Sequence, residues 1–431
     1  MLVNKRTLIG PFSQILSLKG LALNGPLADE QLEVISNAAV ITNGKKIERV
    51  GLWSELKAYA DTQSIAIVRM EEIFEKQGKA CPKSLTLTPG LVDAHTHICY
   101  AGSRARDYAD RLNGVSYEEI SARGGGIRDT MRHTRAASED DLFELNLTRL
   151  KQHLARGVTT VEIKSGYGLS VQDELKQLRA IKRLAHAGLS QVVSSCLAAH
   201  VVPPEFKVGS AFKHHEYLQV VLNEILPIVK EEKLAQRVDA FVEPSAFPVE
   251  IARPYLQNAQ AMGFDICVHA DQFSQGGARL AAELGAKSAD HLEATSTADL
   301  QALKAAQVTA VALPGASLGL GIPYTPAREA LDLGLSLAIA SDWNPGSAPM
   351  GHLLMQASVL GAAEKLSAAE VWAGITFRAA HALGLSNTAQ ISSGFVADML
   401  AFSCDDYREI LYHQGMLTPS LVWTQGRLQS L

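Results

Sequence analysis

Two histidines separated by a single residue, His95 and His97, stand at the end of a short apolar run. Alternate residues of a strand point to the same side, so this spacing at a strand end presents two imidazoles to one point. A catalytic metal site typically combines neutral imidazoles with a carboxylate and leaves one position open for water. The spacing therefore indicates a metal site, although two histidines could also fall on a half-exposed strand by chance.

Two further candidate ligands lie at or just after the ends of apolar runs. His269 ends the run 264–269, and Asp342 comes shortly after the run 335–340. Three histidines and one aspartate would leave a metal open to water, which favours a catalytic metal site over a chance pair of histidines. Asp342 could instead cap a helix, because Asp is common at that position.

Three more polar residues follow apolar runs: His200, Glu243 and His291. A single histidine is more often structural, but His200 and His291 would face the same edge as the candidate metal ligands, which favours a functional interpretation. Glu243 could orient a ligand histidine or form an ion pair at this edge, and the sequence leaves both interpretations open.

The segment between the first two apolar runs contains a glycine triplet and three arginines. Residues 124–126 are glycines that no Lys-Ser or Lys-Thr follows, which argues against a P-loop and favours a flexible loop over the site. Arg104, Arg106 and Arg111 closely follow the histidine pair. Charges on such loops are usually solvated, whereas one arginine near the site would suit a substrate carboxylate.

Short apolar runs alternate with helical stretches over most of the chain. Helical periodicity over 174–184, with Gly188 as a C-terminal cap, is one example. The runs number eight, at 91–95, 158–163, 192–199, 238–242, 264–269, 286–290, 308–313 and 335–340. This alternation predicts an α/β protein with a (β/α)8 TIM-like barrel, whose active site lies at the carboxyl ends of the strands.

Both ends of the chain are rich in predicted strands. Asn43-Gly44 separates two apolar segments and predicts a hairpin turn. Two further strand-like segments occupy 395–402 and 421–426. We expect the two ends to pair with each other into one small sheet domain beside the barrel.

Composition narrows the class of protein. The 431 residues are 47% hydrophobic, with a net charge of −5. Lysine and arginine form no basic stripe, which argues against nucleic-acid binding. No apolar run approaches the roughly 20 residues needed to cross a bilayer. The five scattered cysteines form no Cys-x-x-Cys pair, and the first residues lack the apolar core of a signal peptide, so we expect reduced thiols in a cytoplasmic protein.

Several motifs resemble a known family. Residues 88–97 (TPGLVDAHTH) resemble the opening strand of the amidohydrolase superfamily. Four others resemble its imidazolonepropionase family: 161–169 (VEIKSGYGL), 199–206 (AHVVPPEF), 288–292 (SADHL) and 342–347 (DWNPGS). The resemblance implies a barrel at 87–388 and a small β-sandwich domain formed by both termini, 1–86 and 389–431.

The same resemblance implies ligands and substrate contacts. It implies one zinc or iron ion held by His95, His97, His269 and Asp342. It implies that the substrate, 4-imidazolone-5-propanoate, meets Arg104, Tyr167, His200, Asn344, Gly346 and Ser347, with Tyr117 as a weaker candidate. It allows a homodimer, of which the sequence itself gives no sign.

Gln272 stands three residues after His269, where some family members have a glutamate that shuttles protons. An amide can hydrogen-bond the substrate but cannot serve as a general acid or base. We therefore expect Asp342 to take a proton from a metal-activated water, and His291 to help stabilise the oxyanion. The predicted reaction is the hydrolytic opening of the imidazolone ring to N-formimidoyl-L-glutamate in histidine degradation, with Arg104 holding the propionate.

Two other functions compete with this prediction. An aminohydrolase of the same superfamily, which removes ammonia from a purine-like ring, would typically need a glutamate in place of Gln272. A metal-binding scaffold without catalysis would need neither the full set of ligands nor His291.

Overall fold

The computed structural model describes residues 6–115, 119–120, 123–209 and 211–430. The first part of the chain forms strands β1 to β5, at Arg6–Leu16, Val34–Asn43, Lys46–Leu52, Ala66–Arg69 and Thr86–Pro89. Strands β2 and β3 form the hairpin predicted at Asn43-Gly44, because Asn43 pairs with Lys46. Gly44 has a φ of 61°, a left-handed conformation that glycine adopts at little cost. Two helices accompany these strands, Trp53–Thr62 and Met70–Lys76.

Eight parallel strands form the second sheet, in the order β6-β7-β8-β11-β12-β13-β14-β15. Their bounds are Leu91–Asp93, Val158–Lys164, Gln191–Ala199, Arg237–Val242, Asp265–Ala270, Ser288–His291, Thr309–Ala312 and Leu337–Ile339. A short hairpin of β9 and β10, Lys207–Val208 and Ala211–Phe212, lies between β8 and β11. Each barrel strand overlaps one of the eight predicted runs, so the predicted (β/α)8 barrel is confirmed.

Backbone hydrogen bonds connect the two ends of this sheet just beyond its first and last strands. The N–H of Asp342 donates to the carbonyl of His95 at 3.0 Å, and the N–H of His97 donates to the carbonyl of Trp343 at 2.9 Å. The barrel is therefore joined at its carboxyl edge by the two segments that carry candidate metal ligands.

Helices cover the outside of the barrel. The described α-helices after β6 are Ala105–Leu112, Ile127–Ala136, Glu139–Ala155, Val171–His186, His214–Val220, Leu226–Glu231, Val249–Ala261, Gly277–Leu284, Thr297–Ala305, Pro314–Leu320, Ala327–Asp332, Leu353–Glu364, Ala368–Gly374, Phe377–Ala382 and Arg408–Tyr412. Helix Val171–His186 contains the predicted periodic stretch, and Gly188, with a φ of 70°, follows its end. Within the described residues, no helix combines the length and apolar character needed to cross a membrane.

The last strands, β16 to β18 at Met399–Phe402, Leu421–Thr424 and Arg427–Leu428, return to the first sheet. Strand β16 pairs antiparallel with β5, which pairs parallel with β1, so both ends of the chain share one sheet. The described strands of the two ends, β1 to β5 and β16 to β18, form one continuous hydrogen-bonded sheet. The two-layer β-sandwich and the domain limits at 86 and 388 stay predictions.

Candidate metal and active site

Three histidine side chains converge at the carboxyl edge of the barrel. The Nε2 atom of His97 lies 3.1 Å from Nε2 of His95 and 3.2 Å from Nε2 of His269. One carboxylate oxygen of Asp342, Oδ1, lies 3.6 Å from Nε2 of His95 and 3.4 Å from Nε2 of His97. The structure thus brings together the four residues that the sequence predicted as metal ligands.

Carboxylates beside His95 and His269 leave the Nε2 atoms of these two rings available, whereas Nδ1 of His97 is buried without a hydrogen-bond partner among the described residues. Nδ1 of His95 donates to Oδ2 of Asp290 at 2.7 Å, and Nδ1 of His269 lies 2.9 Å from Oδ2 of Asp239. A carboxylate at Nδ1 holds the ring proton there and leaves the lone pair on Nε2. Oδ1 of Asp342 is buried and has no hydrogen-bond partner among the described residues. Three imidazole lone pairs and an unpartnered carboxylate oxygen fit a divalent metal ion.

Electrostatics keep these imidazoles in the neutral state that a metal ligand needs. Burial, reinforced by the charge of Lys164, holds the pKa of His95 well below its usual value. Burial also lowers the pKa of His97, with a further contribution from His269. The pKa of His269 is lowered by burial as well, although Asp239 opposes this shift.

A buried ion-pair network lies beneath the ligands. The ammonium of Lys164 lies 2.8 Å from Oδ2 of Asp239, 2.8 Å from Oε2 of Glu162 and 3.7 Å from Oδ2 of Asp290. Burial would raise the pKa of Asp239, but His269 and Lys164 lower it more, so that this carboxyl stays ionised. The cation therefore stabilises both carboxylates that orient ligand histidines. The sequence analysis did not assign this role to Asp239 or Lys164.

The turn after the last barrel strand holds Asp342 in place. Asp342 has a φ of 48°, and Nδ2 of Asn344 donates to its Oδ2 atom at 2.9 Å. Oδ1 of Asn344 accepts the backbone N–H groups of Gly346 at 2.7 Å and Ser347 at 2.8 Å. Asp342 is not a helix cap, because the next helix begins at Leu353 with His352 as its N-cap. Burial raises the pKa of Asp342 to about 6.

His291 ends strand β13 beside the ligand cluster, with its ring centroid 5.4 Å from that of His269. Burial would lower the pKa of His291, but the carboxylates of Glu293, 3.5 Å from Nδ1, and of Asp342 and Asp290 together raise it above its usual value. The φ angles of His291 and Leu292 are 85° and 70°, an uncommon conformation for residues with side chains. Such strain persists where surrounding contacts enforce it, often at functional sites. The sequence analysis missed Glu293.

A cavity of about 680 Å³ lies over the ligands. Apart from Tyr117, the residues predicted to contact substrate all line it, namely Arg104, Tyr167, His200, Gln272, Asn344, Gly346 and Ser347, together with His291. Nδ1 of His200 donates to the carbonyl of Gly166 at 3.0 Å, and burial lowers the pKa of His200 to about 3. Burial also raises the pKa of Tyr167. The cavity therefore offers a neutral imidazole and a neutral phenol. The remaining candidate, Tyr117, lies outside the described residues.

Two interpretations from the sequence are wrong. Glu243 accepts the backbone N–H groups of Phe273 at 2.9 Å and Ser274 at 3.2 Å, so it holds the segment after β12; among the described residues it neither orients a ligand histidine nor pairs with a cation. Arg111 is not a solvated loop charge: it lines the cavity, and its Nη2 atom donates to the carbonyl of Gly346 at 2.9 Å. Arg106 is exposed, as expected of a solvated charge.

Comparison with known proteins agrees with this geometry. The amidohydrolase family model matches residues 86–428. An imidazolonepropionase from Bdellovibrio bacteriovorus is 38% identical over 97% of this chain and 96% of its own length. An imidazolonepropionase from Symbiobacterium thermophilum is 40% identical over 94% of this chain and 93% of its own length.

Solved structures show the same fold at lower identity. Atrazine chlorohydrolase TrzN from Arthrobacter aurescens TC1, complexed with zinc, has a TM-score of 0.68 at 16% identity and covers 98% of this chain and 94% of its own. An adenosine deaminase from Xanthomonas campestris with bound zinc has a TM-score of 0.68 at 17% identity, covering 99% of this chain and 93% of its own.

The barrel and the buried cluster at its carboxyl edge define a metal-dependent amidohydrolase that acts on cyclic amides. The relatives that match nearly the whole chain narrow this class. The chain belongs to the imidazolonepropionase family of the amidohydrolases.

Proposed function

We propose that this chain hydrolyses 4-imidazolone-5-propanoate to N-formimidoyl-L-glutamate, a step of L-histidine degradation. The observation that carries this proposal is one cavity that contains both the ligand cluster and the guanidinium of Arg104. The first element suits hydrolysis of a cyclic amide, and the second suits a substrate with a carboxylate arm. The names of the relatives that match most of the chain also support this substrate.

We propose that His95, His97, His269 and Asp342 hold one zinc or iron ion. Three imidazoles and one carboxylate suit either metal. When bound there, the ion lowers the pKa of a coordinated water and polarises a carbonyl group. The neutral rings and the unpartnered Oδ1 of Asp342 support this assignment.

Asp342 carries out the proton transfers, and His291 stabilises the oxyanion. Asp342 takes a proton from the attacking water, whose oxygen forms a bond to the lactam carbonyl carbon. His291 donates a hydrogen bond to the carbonyl oxygen as negative charge develops on it, and Glu293 supports the protonated ring. The ring C–N bond then breaks, and Asp342 returns the proton to the leaving nitrogen. A carboxylate beside the attacking water can accept its proton and later release it.

The remaining cavity residues orient the ring. Arg104 pairs with the propionate, and Tyr167 offers a neutral hydroxyl. Nε2 of His200 is free to accept a hydrogen bond, because its Nδ1 atom donates to the carbonyl of Gly166. Gln272 contributes an amide that binds substrate without transferring a proton. Gly346 and Ser347 belong to the turn held by Asn344, so they shape the wall next to Arg104.

We also propose that the protein is located in the cytoplasm. All five cysteines lie within the described residues and are free, which fits this reducing compartment. A homodimer stays a prediction.

Product analysis tests the function. Purified protein incubated with 4-imidazolone-5-propanoate should form N-formimidoyl-L-glutamate, detected by mass spectrometry, without releasing ammonia. Ammonia release from a purine-like ring, with no turnover of the imidazolone, would instead support an aminohydrolase. The absence of turnover of either ring by metal-loaded protein would support a non-catalytic scaffold.

A further inference from the structure

Asp107 lies in the first turn of helix Ala105–Leu112, at the wall of the cavity, and is buried. Its Oδ2 atom accepts a hydrogen bond from Nε of Arg104 at 2.8 Å and another from the backbone N–H of Gly126 at 2.8 Å. Buried carboxylates need such partners, because an unpaired buried charge is costly. One carboxylate oxygen therefore connects the arginine at the cavity with the glycine segment 124–126.

The glycine segment is shaped to receive this carboxylate. A Cβ atom on Gly125 would lie 2.6 Å from Oδ1 of Asp107 and 2.8 Å from Cγ2 of Ile120, so a side chain there would displace its neighbours. Gly126 has a φ of 74° and is the N-cap of helix Ile127–Ala136. The segment that the sequence suggested as a flexible loop over the site instead packs against Asp107.

The other side of the guanidinium of Arg104 faces Gly346. A Cβ atom on Gly346 would lie 2.6 Å from Nη1 of Arg104, so the missing side chain leaves room for this group. No acceptor among the described residues takes a hydrogen bond from Nη1 or Nη2 of Arg104. Nε is therefore held, and the two terminal nitrogens remain available at the cavity.

We infer that Asp107 is a positioning residue for the substrate carboxylate, which it serves by fixing the guanidinium plane of Arg104 through Nε. The inference rests on the proposed role of Arg104. Bidentate pairing of a guanidinium with a carboxylate depends on the orientation of both planes. Holding a long side chain in its binding orientation before the substrate arrives reduces the entropy lost on binding.

A structural role is the alternative explanation for Asp107. A carboxylate in the first turn of a helix interacts favourably with the helix dipole. Its loss would then lower the stability of the protein, and any effect on kinetics would be the same whether or not Arg104 is present. The two roles therefore differ in their coupling to Arg104.

A double-mutant cycle between positions 107 and 104 tests the inference. Asp107→Leu removes the acceptor while keeping the branching at Cγ, at a larger volume, and Asp107→Asn keeps an acceptor oxygen at nearly the same volume. Asp110→Leu, on the same helix but away from the cavity, is the matched control. Each variant is made with Arg104 present and in the Arg104→Met background, and kcat, KM and the melting temperature are measured. Where turnover is too slow, calorimetry gives the Kd of N-formimidoyl-L-glutamate.

With Arg104 present, Asp107→Leu should lower kcat/KM by about tenfold or more, mainly through KM, and Asp107→Asn should recover part of the loss. The control should stay within about twofold. In the Arg104→Met background, Asp107→Leu should change kcat/KM by less than about twofold, because its effect passes through Arg104.

Equal losses from Asp107→Leu in both backgrounds would overturn the inference. Unchanged substrate binding in Arg104→Met would overturn the proposed role of Arg104 itself. This outcome differs from equal losses in both backgrounds, and it would also overturn the inference about Asp107. If Asp107→Leu does not fold, the cycle with Asp107→Asn decides: a loss only with Arg104 present supports the inference, and no loss or equal losses overturn it.

Discussion

His95 follows the first strand of the barrel, Asp290 lies in the sixth, and Nδ1 of His95 donates to Oδ2 of Asp290 at 2.7 Å. Both side chains are fully buried. The hydrogen bond fixes the tautomer of the ring, so that Nε2 faces His97. An orienting carboxylate behind a ligand histidine commonly tunes both metal affinity and ligand basicity.

Replacing Asp290 with asparagine should therefore weaken metal binding. Asp290→Asn keeps the size of the side chain but removes the negative charge behind His95. We expect metal affinity, measured by competition with a chelator, to fall by about tenfold or more. Asp265→Asn, at an exposed position of the neighbouring strand, is the control and should bind metal like the parent. Equal affinity in both variants would show that Asp290 does not support the ligand.

The proposed role of Arg104 predicts that lysine substitutions at Arg104 and at Arg106 have different effects on kcat/KM. Arg104→Lys keeps the charge but loses the planar fork, and should lower kcat/KM for 4-imidazolone-5-propanoate by more than about tenfold, or roughly 1.4 kcal/mol. Arg106→Lys should have little effect, because Arg106 is exposed. Arg111 is unsuitable as a control, since it also lines the cavity. Small and equal effects at positions 104 and 106 would mean that another group holds the propionate.

Gln272 lines the cavity without being able to transfer a proton. Gln272→Glu should be tolerated and should change the pH profile of kcat only modestly. Gln272→Ala should lose far less activity than Asp342→Ala, because only Asp342 is proposed to transfer the proton. Steady-state kinetics of the three variants provide the test. Losses of the same size in the two alanine variants would show that this division of roles is wrong.

The buried carboxyl of Asp398 lies outside the active site, and its raised pKa predicts that the stability of the protein depends on pH. Burial raises its pKa to about 6, although the N–H of Gln425 donates to it. An unfolded Asp has a pKa of about 3.9. The folded state thus binds the proton more tightly, and the stability this provides is complete below about pH 4 and is lost as the pH rises through about 6.

Asp398→Asn cannot ionise, so its advantage over the parent protein should grow with pH. Linkage gives about 1.4 kcal/mol more advantage in the free energy of unfolding at pH 8 than at pH 5. Urea titrations at both pH values measure it. Asp265→Asn should show no such growth. An advantage of Asp398→Asn that is equal at both pH values would mean that the buried carboxyl is not the cause.

The barrel and its ligand cluster could be predicted because their signals are local. Each apolar run is short, and polar residues such as His95, His269 and Asp342 lie at or just after the ends of the runs. Parallel strands place all their carboxyl ends at one edge, so residues far apart in sequence meet without further information. The pairing of β5 with β16 was harder to predict, since only the strand character of the two ends suggested it.

The supporting residues could not be predicted in the same way. Whether Asp239 or Glu243 reaches His269 depends on the register of β11 against β12, which no local pattern specifies. One missed signal was present at Arg111, seven residues after Arg104. A spacing of seven places both residues on the same face of a helix, whereas Arg106 points elsewhere.

Removal and return of the metal tests the central claim most directly. Purified protein should carry about one zinc or iron ion per chain and should convert 4-imidazolone-5-propanoate to N-formimidoyl-L-glutamate. Exhaustive chelation should abolish turnover, and added zinc or iron should restore it. His95→Ala and His97→Ala should lose both metal and activity, whereas His413→Ala, at an exposed position, should keep both. Full turnover by protein shown to be free of metal would contradict the account.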